Sequence, residues 1–265
     1  MRLTLIFLLL VFSLVASGQV KLCSWNLCDM GRSKSDAEIA FIANTLSGYN
    51  LVALQEIVTG PQGAAAVARL NDALNRKGAK WDFCISEATS GTSQKRERYA
   101  FLWKTSEVKK KSDWLDTFYK AEIEREPYFG TFVYKNREFT VVNFHAITKK
   151  LQPETEIKYF RYYPVKYPKL QLIFAGDFNC PQQHSVFGPL KKAGFLAAFA
   201  GVKTTLRQSC NKGCTASEFD NFFYHKNDVR LLKTGVSPFH ESFGDLRDAR
   251  KISDHLPVWM EFEPI

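Results

Sequence analysis

Short apolar blocks recur along this chain between polar turns, and few apolar positions follow helical spacing. The blocks predict strands over 20–25, 51–55, 81–86, 99–103, 128–134, 139–144, 170–175, 219–224 and 256–262. Three segments break this pattern. Over 36–46, Ala37, Ala40, Ile42, Ala43 and Leu46 recur at helical spacing behind Ser35, a good N-cap. Over 62–77 the chain is Ala-rich and stops at Gly78, and 185–193 predicts a short helix that stops at Gly194. Frequent strands with few helices predict two packed sheets with helices outside, not a purely parallel sheet.

Composition adds a compartment and a sign of charge. Arg2 precedes an apolar run from Leu3 to Val15, and Ala16 and Gly18 occupy the −3 and −1 positions of a cut before Gln19. This predicts a secretory signal peptide over 1–18 and one domain over 19–265. The run is short for a membrane span and no stop-transfer pattern follows it, so no membrane anchor is expected. The full chain carries a net charge of +9, which favours an anionic partner. Secretion or a periplasmic location permits disulfides. Cys210 and Cys214 flank a short polar loop and form the expected pair. Cys23, Cys28, Cys84 and Cys180 sit in or beside apolar runs and are read as thiols, without the spacing of a zinc site.

Several strands end at a polar residue that burial penalises. Trp25 is followed by Asn26, Leu54 by Gln55 and Glu56, Phe144 by His145, and Gly176 by Asp177 and Asn179. Asp220 opens the block 221–224, and Asp254 and His255 precede Leu256. Each alone is an ordinary turn residue or cap. Together they make a set of hard oxygen donors and two imidazoles. Oxygen donors without cysteine favour Mg²⁺, Mn²⁺ or Ca²⁺, and such a set suits hydrolysis of a phosphate ester.

The segments Ser24-Trp25-Asn26, Gln55-Glu56, Asn143-Phe144-His145, Gly176-Asp177-Phe178-Asn179 and Ser253-Asp254-His255-Leu256-Pro257 follow one another in the order of the endonuclease/exonuclease/phosphatase superfamily. The chain resembles that superfamily over about residues 20 to 263. Glu97-Arg98-Tyr99 and Arg125-Glu126-Pro127 bring it nearest to the deoxyribonuclease I-like branch. The resemblance implies an α/β fold: a four-layer α-β-β-α sandwich of two central mixed β-sheets flanked by helices. It also implies a monomeric Mg²⁺-dependent endonuclease that cuts double-stranded DNA with low sequence specificity, leaving 5′-phosphate and 3′-hydroxyl ends. Mn²⁺ is the expected substitute metal and Ca²⁺ an alternative.

By the same likeness, Glu56, Asn26 and Asp254 hold the metal, with Asp177 beside them. Glu97 orients His145, Asp220 orients His255, and Asn179 touches the phosphate or the metal. His255 is the expected base and His145 the expected acid. The branch carries Arg at the positions of Cys28 and Val58 and Tyr at the position of Lys95, so groove contacts differ here. Arg32, Lys95, Arg96, Arg98 and Arg125 are the expected replacement grip on phosphate. Two rival readings share the scaffold. One is a secreted phospholipid phosphodiesterase of the sphingomyelinase kind, which needs an exposed apolar device such as Trp114-Leu115 with Phe118-Tyr119. The other is a silent nucleic-acid-binding protein.

Overall fold

The computed structural model describes residues 19–92 and 96–265. The expected signal peptide and Lys95 lie outside these described residues. In chain order the strands and helices are β1 (Val20–Met30), α1 (Asp36–Leu46), β2 (Leu51–Ile57), α2 (Pro61–Asn75), β3 (Trp81–Ile85), β4 (Arg98–Lys104), β5 (Lys109–Leu115), β6 (Tyr128–Tyr134) and β7 (Arg137–His145). They continue with α3 (Glu154–Ile157), α4 (Tyr163–Lys166), β8 (Leu172–Asp177), α5 (Gly188–Lys192), β9 (Phe195–Ala197), β10 (Asp220–His225), β11 (Val229–Val236), α6 (Leu246–Ile252) and β12 (Val258–Pro264).

One sheet runs β11-β12-β1-β2-β4-β3 and the other β5-β6-β7-β8-β10-β9. Each has one parallel pair at its centre, β1–β2 in the first and β7–β8 in the second, with antiparallel neighbours outward from it. The expected four-layer sandwich of mixed sheets is therefore the observed fold. Alternation sorts the side chains. Leu22, Ala53, Phe101, Val141, Ile173, Phe222 and Met260 fill the space between the sheets. Trp25, Val52 and Leu54 point outward beneath α1 and α2. Val142, Phe144 and Phe174 pack under Phe160 and Tyr163 on the other side.

Local chemistry explains the main helix limits. Ser35 accepts from Glu38 N while the Glu38 carboxylate accepts from Ser35 N, a complete capping box at the head of α1. Pro61 opens α2 at a position that needs no N–H donor. The expected helix over 185–193 divides into a 3-10 turn (Ser185–Phe187) and α5, because Pro189 supplies no N–H. Strands β5, β9 and β11 and helices α3, α4 and α6 were not among the elements expected from the sequence. Cys210 and Cys214 form a disulfide, and the other four cysteines are free thiols.

Candidate active site

Inward positions change character toward one end of the sandwich. On β1 the inward series runs Val20, Leu22, Ser24, Asn26; on β7 it runs Val141, Asn143, His145; on β8 it runs Ile173, Ala175, Asp177. These three strands thus end in polar side chains at the same end of the seam, and β2 ends there too, at Gln55 and Glu56. Gln55 Nε2 crosses that seam to Asn143 Oδ1 at 2.6 Å and reaches Ser24 Oγ at 3.1 Å. Asn143 in turn donates to the Leu54 carbonyl at 3.0 Å. These buried bonds lock the two sheets in register just below the cluster.

The strands also bend there. The pairing of β1 with β2 shifts between Asn26 and Met30, and that of β2 with β4 shifts between Leu54 and Ile57. Cys28, Asp29, Glu56 and Asn179 all hold positive φ, between 48° and 57°. Such conformations disfavour side chains that carry a Cβ, and here they turn functional groups toward the mouth of the seam. Gly176 does related work with φ of +145°: a Cβ on it would stand 1.8 Å from the Phe144 carbonyl oxygen. Only glycine lets β8 come this close to β7 and bring Asp177 beside His145.

Asp177 Oδ2 is the centre of the cluster. His145 Nε2 lies 3.3 Å from it, His255 Nε2 3.5 Å, Asn26 Nδ2 3.3 Å and Asn179 Nδ2 3.4 Å. Each imidazole has a carboxylate behind it. His145 Nδ1 is 2.8 Å from Glu97 Oε2, and His255 Nδ1 is 2.9 Å from Asp220 Oδ2. Glu56 Oε1 accepts from Asn26 Nδ2 at 2.8 Å and stands 3.8 Å from His145 Nε2. Asp254 lies beside this set: its carboxylate pairs with Arg250 at 3.3 Å. It stays near enough that Asp254 and Glu56 both act on the Cys28 thiol.

The two imidazoles differ in charge. Burial depresses His145 to about 4, and the Arg125 guanidinium pushes the same way. Burial pushes its partner Glu97 up to about 8, against the pull of Arg125. Burial also opposes charge on His255, but Asp220 and Asp177 outweigh it and hold the imidazolium well above its ordinary range. The surroundings thus favour charge on His255 and disfavour it on His145.

The expected phosphate grip is rearranged. Arg125 is buried; its Nε is 3.4 Å from Glu97 Oε2 and its Nη1 donates to the Ala146 carbonyl at 3.1 Å. It compensates a buried carboxylate, which is a stronger demand on a buried guanidinium than a solvent-side phosphate. Arg98 donates to the Thr59 and Ser86 carbonyls at 3.2 and 2.9 Å, so it fastens loops together. Arg96 is exposed and lines a cleft of about 260 Å³ with Asp29, Glu56, Arg125 and His145. Of the wider basic runs, Lys111 pairs with Glu138 at 2.6 Å and Lys191 donates to Gln182 at 2.7 Å, so neither serves the cleft.

Four positioning groups were given no role by the sequence, although Tyr99 lies in a motif already noted. Tyr99 Oη accepts from His145 N at 3.2 Å. Thr204 Oγ1 donates to Asp220 Oδ2 at 2.6 Å. Asp29 N donates to Glu56 Oε2 at 3.2 Å. Lys34 Nζ donates to the carbonyls of Lys251 and Ile252 at 2.7 and 2.9 Å, steadying the residues just before Asp254 and His255. Each acts across a long sequence separation or through a common residue type, so no local pattern marks its role.

The donor set fits a hard divalent cation. Among the described residues no Lys or Arg pairs with Glu56 or Asp177, so two carboxylates share one seam without a full countercharge. Carboxylate oxygens of Asp29 and Glu56 and the Cys28 sulfur lie within 4.8 Å of one another. Burial, with Asp254 and Glu56 beside it, pushes the Cys28 thiol up to about 12, and the carboxylate oxygens are the hard donors of this group. Cys28 thus behaves as an inert neighbour of the carboxylates.

Residues 23–255 match the Endonuclease/Exonuclease/phosphatase family. The chain belongs to this family. Within it, the chain is 27% identical to a deoxyribonuclease of Thioalkalivibrio sp. (strain K90mix), covering 97% of this chain and 75% of that one. It is 28% identical to deoxyribonuclease-1 of Oryctolagus cuniculus, covering 95% of each. The crystal structure of D. rerio TDP2 complexed with single strand DNA product superposes with a TM-score of 0.66 at 18% identity, covering 92% of this chain and 99% of that one. That likeness is one of fold, and it agrees with the two-sheet architecture of the endonuclease/exonuclease/phosphatase family. Among the described residues no helix is long and apolar enough to cross a membrane.

Proposed function

We propose that the protein is a secreted or periplasmic endonuclease that hydrolyses DNA phosphodiester bonds, with low sequence specificity and with a divalent cation, Mg²⁺ first among them. One observation carries the reading. Two carboxylate-backed imidazoles converge on Asp177 from opposite sheets, with Glu56 and Asn26 beside them. The deoxyribonuclease names of relatives covering most of this chain supply the polymer.

Glu56, Asn26 and Asp254 would hold the cation, which when bound offsets negative charge on the phosphate. The rest falls to side chains. One imidazole takes a proton from the attacking water and the other gives one to the leaving 3′-oxygen, leaving a 5′-phosphate. Glu97 and Asp220 fix the two rings at Nδ1, so that each Nε2 faces the reacting phosphate. Asn179, held by Ala146 O at 3.0 Å, offers its amide to a phosphate oxygen. Arg96 supplies a positive wall to the cleft.

The phospholipase alternative loses most of its apolar device. Trp114 packs on Phe129 and Tyr167, and only Phe118 of that group stands out, at 65% exposure. Plasmid nicking tests the nuclease reading. Open-circular product is expected with Mg²⁺ and none with EDTA, and the rate should fall steeply as salt rises. Release of phosphocholine from sphingomyelin vesicles with intact plasmid would transfer the site to the other substrate.

A further inference from the structure

The segment from Thr204 to Ser217 is a hairpin that grows directly out of the catalytic cluster. At its base, Thr204 O accepts from Leu256 N at 2.7 Å, Leu206 N donates to Asp254 O at 2.7 Å, and Thr205 bridges to His255. Its rungs continue upward. Ala216 N donates to Thr205 O at 2.8 Å, Leu206 pairs with Thr215, and Arg207 N donates to Cys214 O at 2.8 Å. The Cys210–Cys214 disulfide closes the tip, where Gly213 N donates to Cys210 O at 2.9 Å. The base is buried and residues 208–213 are exposed.

The composition of this arm is one-sided. Lys203, Arg207 and Lys212 are its cations, and no acid occurs from Lys203 to Ser217. Gln208, Ser209 and Asn211 add hydrogen-bonding side chains without apolar ones. Arg207 Nε donates to the Thr215 carbonyl at 2.8 Å, which holds the guanidinium across the neck of the arm. An exposed tip has no folding need for a covalent clasp of its own. A clasp does suit a short polar loop that must keep one shape while it meets a ligand.

We propose that this hairpin is a second contact with the nucleic acid: an arm that grips the backbone of the duplex away from the cut, through Lys212 and the polar tip. The inference rests on the nuclease reading and extends it. Five residue steps lead from Thr205 to Cys210, at most about 16 Å at ~3.3 Å per extended residue. That spans about four to five base-pair steps at ~3.4 Å each. The arm therefore reaches phosphates a few steps from the scissile bond, on the His255 side. It replaces grip that Arg98 and Arg125, both bound to the protein itself, do not supply.

The test compares the full protein with Lys212→Ala, Lys212→Arg and Cys210→Ser/Cys214→Ser in Mg²⁺. The substrates are a 30-base-pair duplex and a p-nitrophenyl ester of thymidine 5′-phosphate, which is too small to reach the tip. For the duplex, KM should rise severalfold in Lys212→Ala and in the double serine variant, with kcat held and Lys212→Arg close to the parent. The slope of log KM against log salt should drop by about 0.9 in Lys212→Ala, the share of one phosphate contact. A dithiol reductant, which opens the disulfide to two thiols as it becomes a cyclic disulfide itself, should shift the parent's KM to that of the serine variant. Equal KM and equal salt slope in parent and Lys212→Ala overturn the arm while the nuclease stands. A parent that cuts neither substrate removes both readings.

Discussion

At the scale of single residues, the asymmetry of the two imidazoles makes the sharpest demand. The surroundings disfavour charge on His145 and favour it on His255, which suits His145 to accepting a proton and His255 to donating one. His145→Ala and His255→Ala should each lower the rate of duplex cleavage by about 10²–10⁴. They should part company on a p-nitrophenyl phosphodiester, whose leaving group departs without a proton. His255→Ala should regain most of its lost rate there and His145→Ala should not. The opposite pattern would restore His255 as the base. Most residues of the cluster were legible because they stand at the ends of apolar blocks, where a polar group needs a reason; Glu97, in a charged run, was legible only through the family resemblance. Thr204 and Lys34 were not, because a threonine and a lysine in mixed sequence look like any others until the chain folds. Arg125 lines the cleft as expected, but its sequence shows only a positive charge and not the buried Glu97 beside it.

At the scale of elements, the strands that escaped the sequence pattern share a position. β5, β9 and β11 all lie at sheet edges. β5 begins with three lysines, and an edge that carries lysine resists pairing with other chains but hides its own strand signal. Central strands, apolar on both faces, were read correctly. The close passage of β7 and β8 at Gly176 gives a test at this scale. Gly176→Ala must either push Phe144 aside or twist β8, and both move Asp177 away from His145. A loss of about 2 kcal/mol or more in stability is expected from the added overlap and the unfavourable φ. Urea denaturation reads the stability, and cleavage measured well below the midpoint should also be reduced. A stability within error of the parent would mean that the backbone here is not as constrained as the overlap implies.

Across the whole molecule, buried protons couple folding to pH. Glu97 is raised from 4.5 to about 8, so the folded state keeps a proton that the unfolded chain releases above 4.5. Its contribution is complete below 4.5 and disappears as pH climbs through about 8. His255, raised above 6.5, acts in the same direction: its contribution is full below 6.5 and is lost at higher pH. His145, lowered from 6.5 to about 4, acts oppositely, adding stability as pH rises across that interval. The contributions of Glu97 and His145 offset below 6.5, and only losses remain above it. The chelated protein should therefore lose Tm steadily from pH 6.5 upward in a thermal scan. Mg²⁺ should raise Tm in the parent and leave it unmoved in Glu56→Gln, since a ligand that binds only the folded state stabilises it. A Tm independent of pH between 6.5 and 9 would contradict the charge states assigned to Glu97 and His255.

The bond from Gln55 to Asn143 crosses between sheets, and so does the approach of Asn26 to Asp177. Half of the reactive groups ride on each layer. A slip of one layer against the other by an ångström would leave both hydrophobic faces covered and most of the fold intact, yet it would part the groups that must meet at a phosphate. Turnover is thus a finer gauge of how the two halves are aligned than any spectroscopic signal of folding. Mild heat, pressure or a substitution at Gln55 should silence the enzyme while the bulk of the protein still looks native.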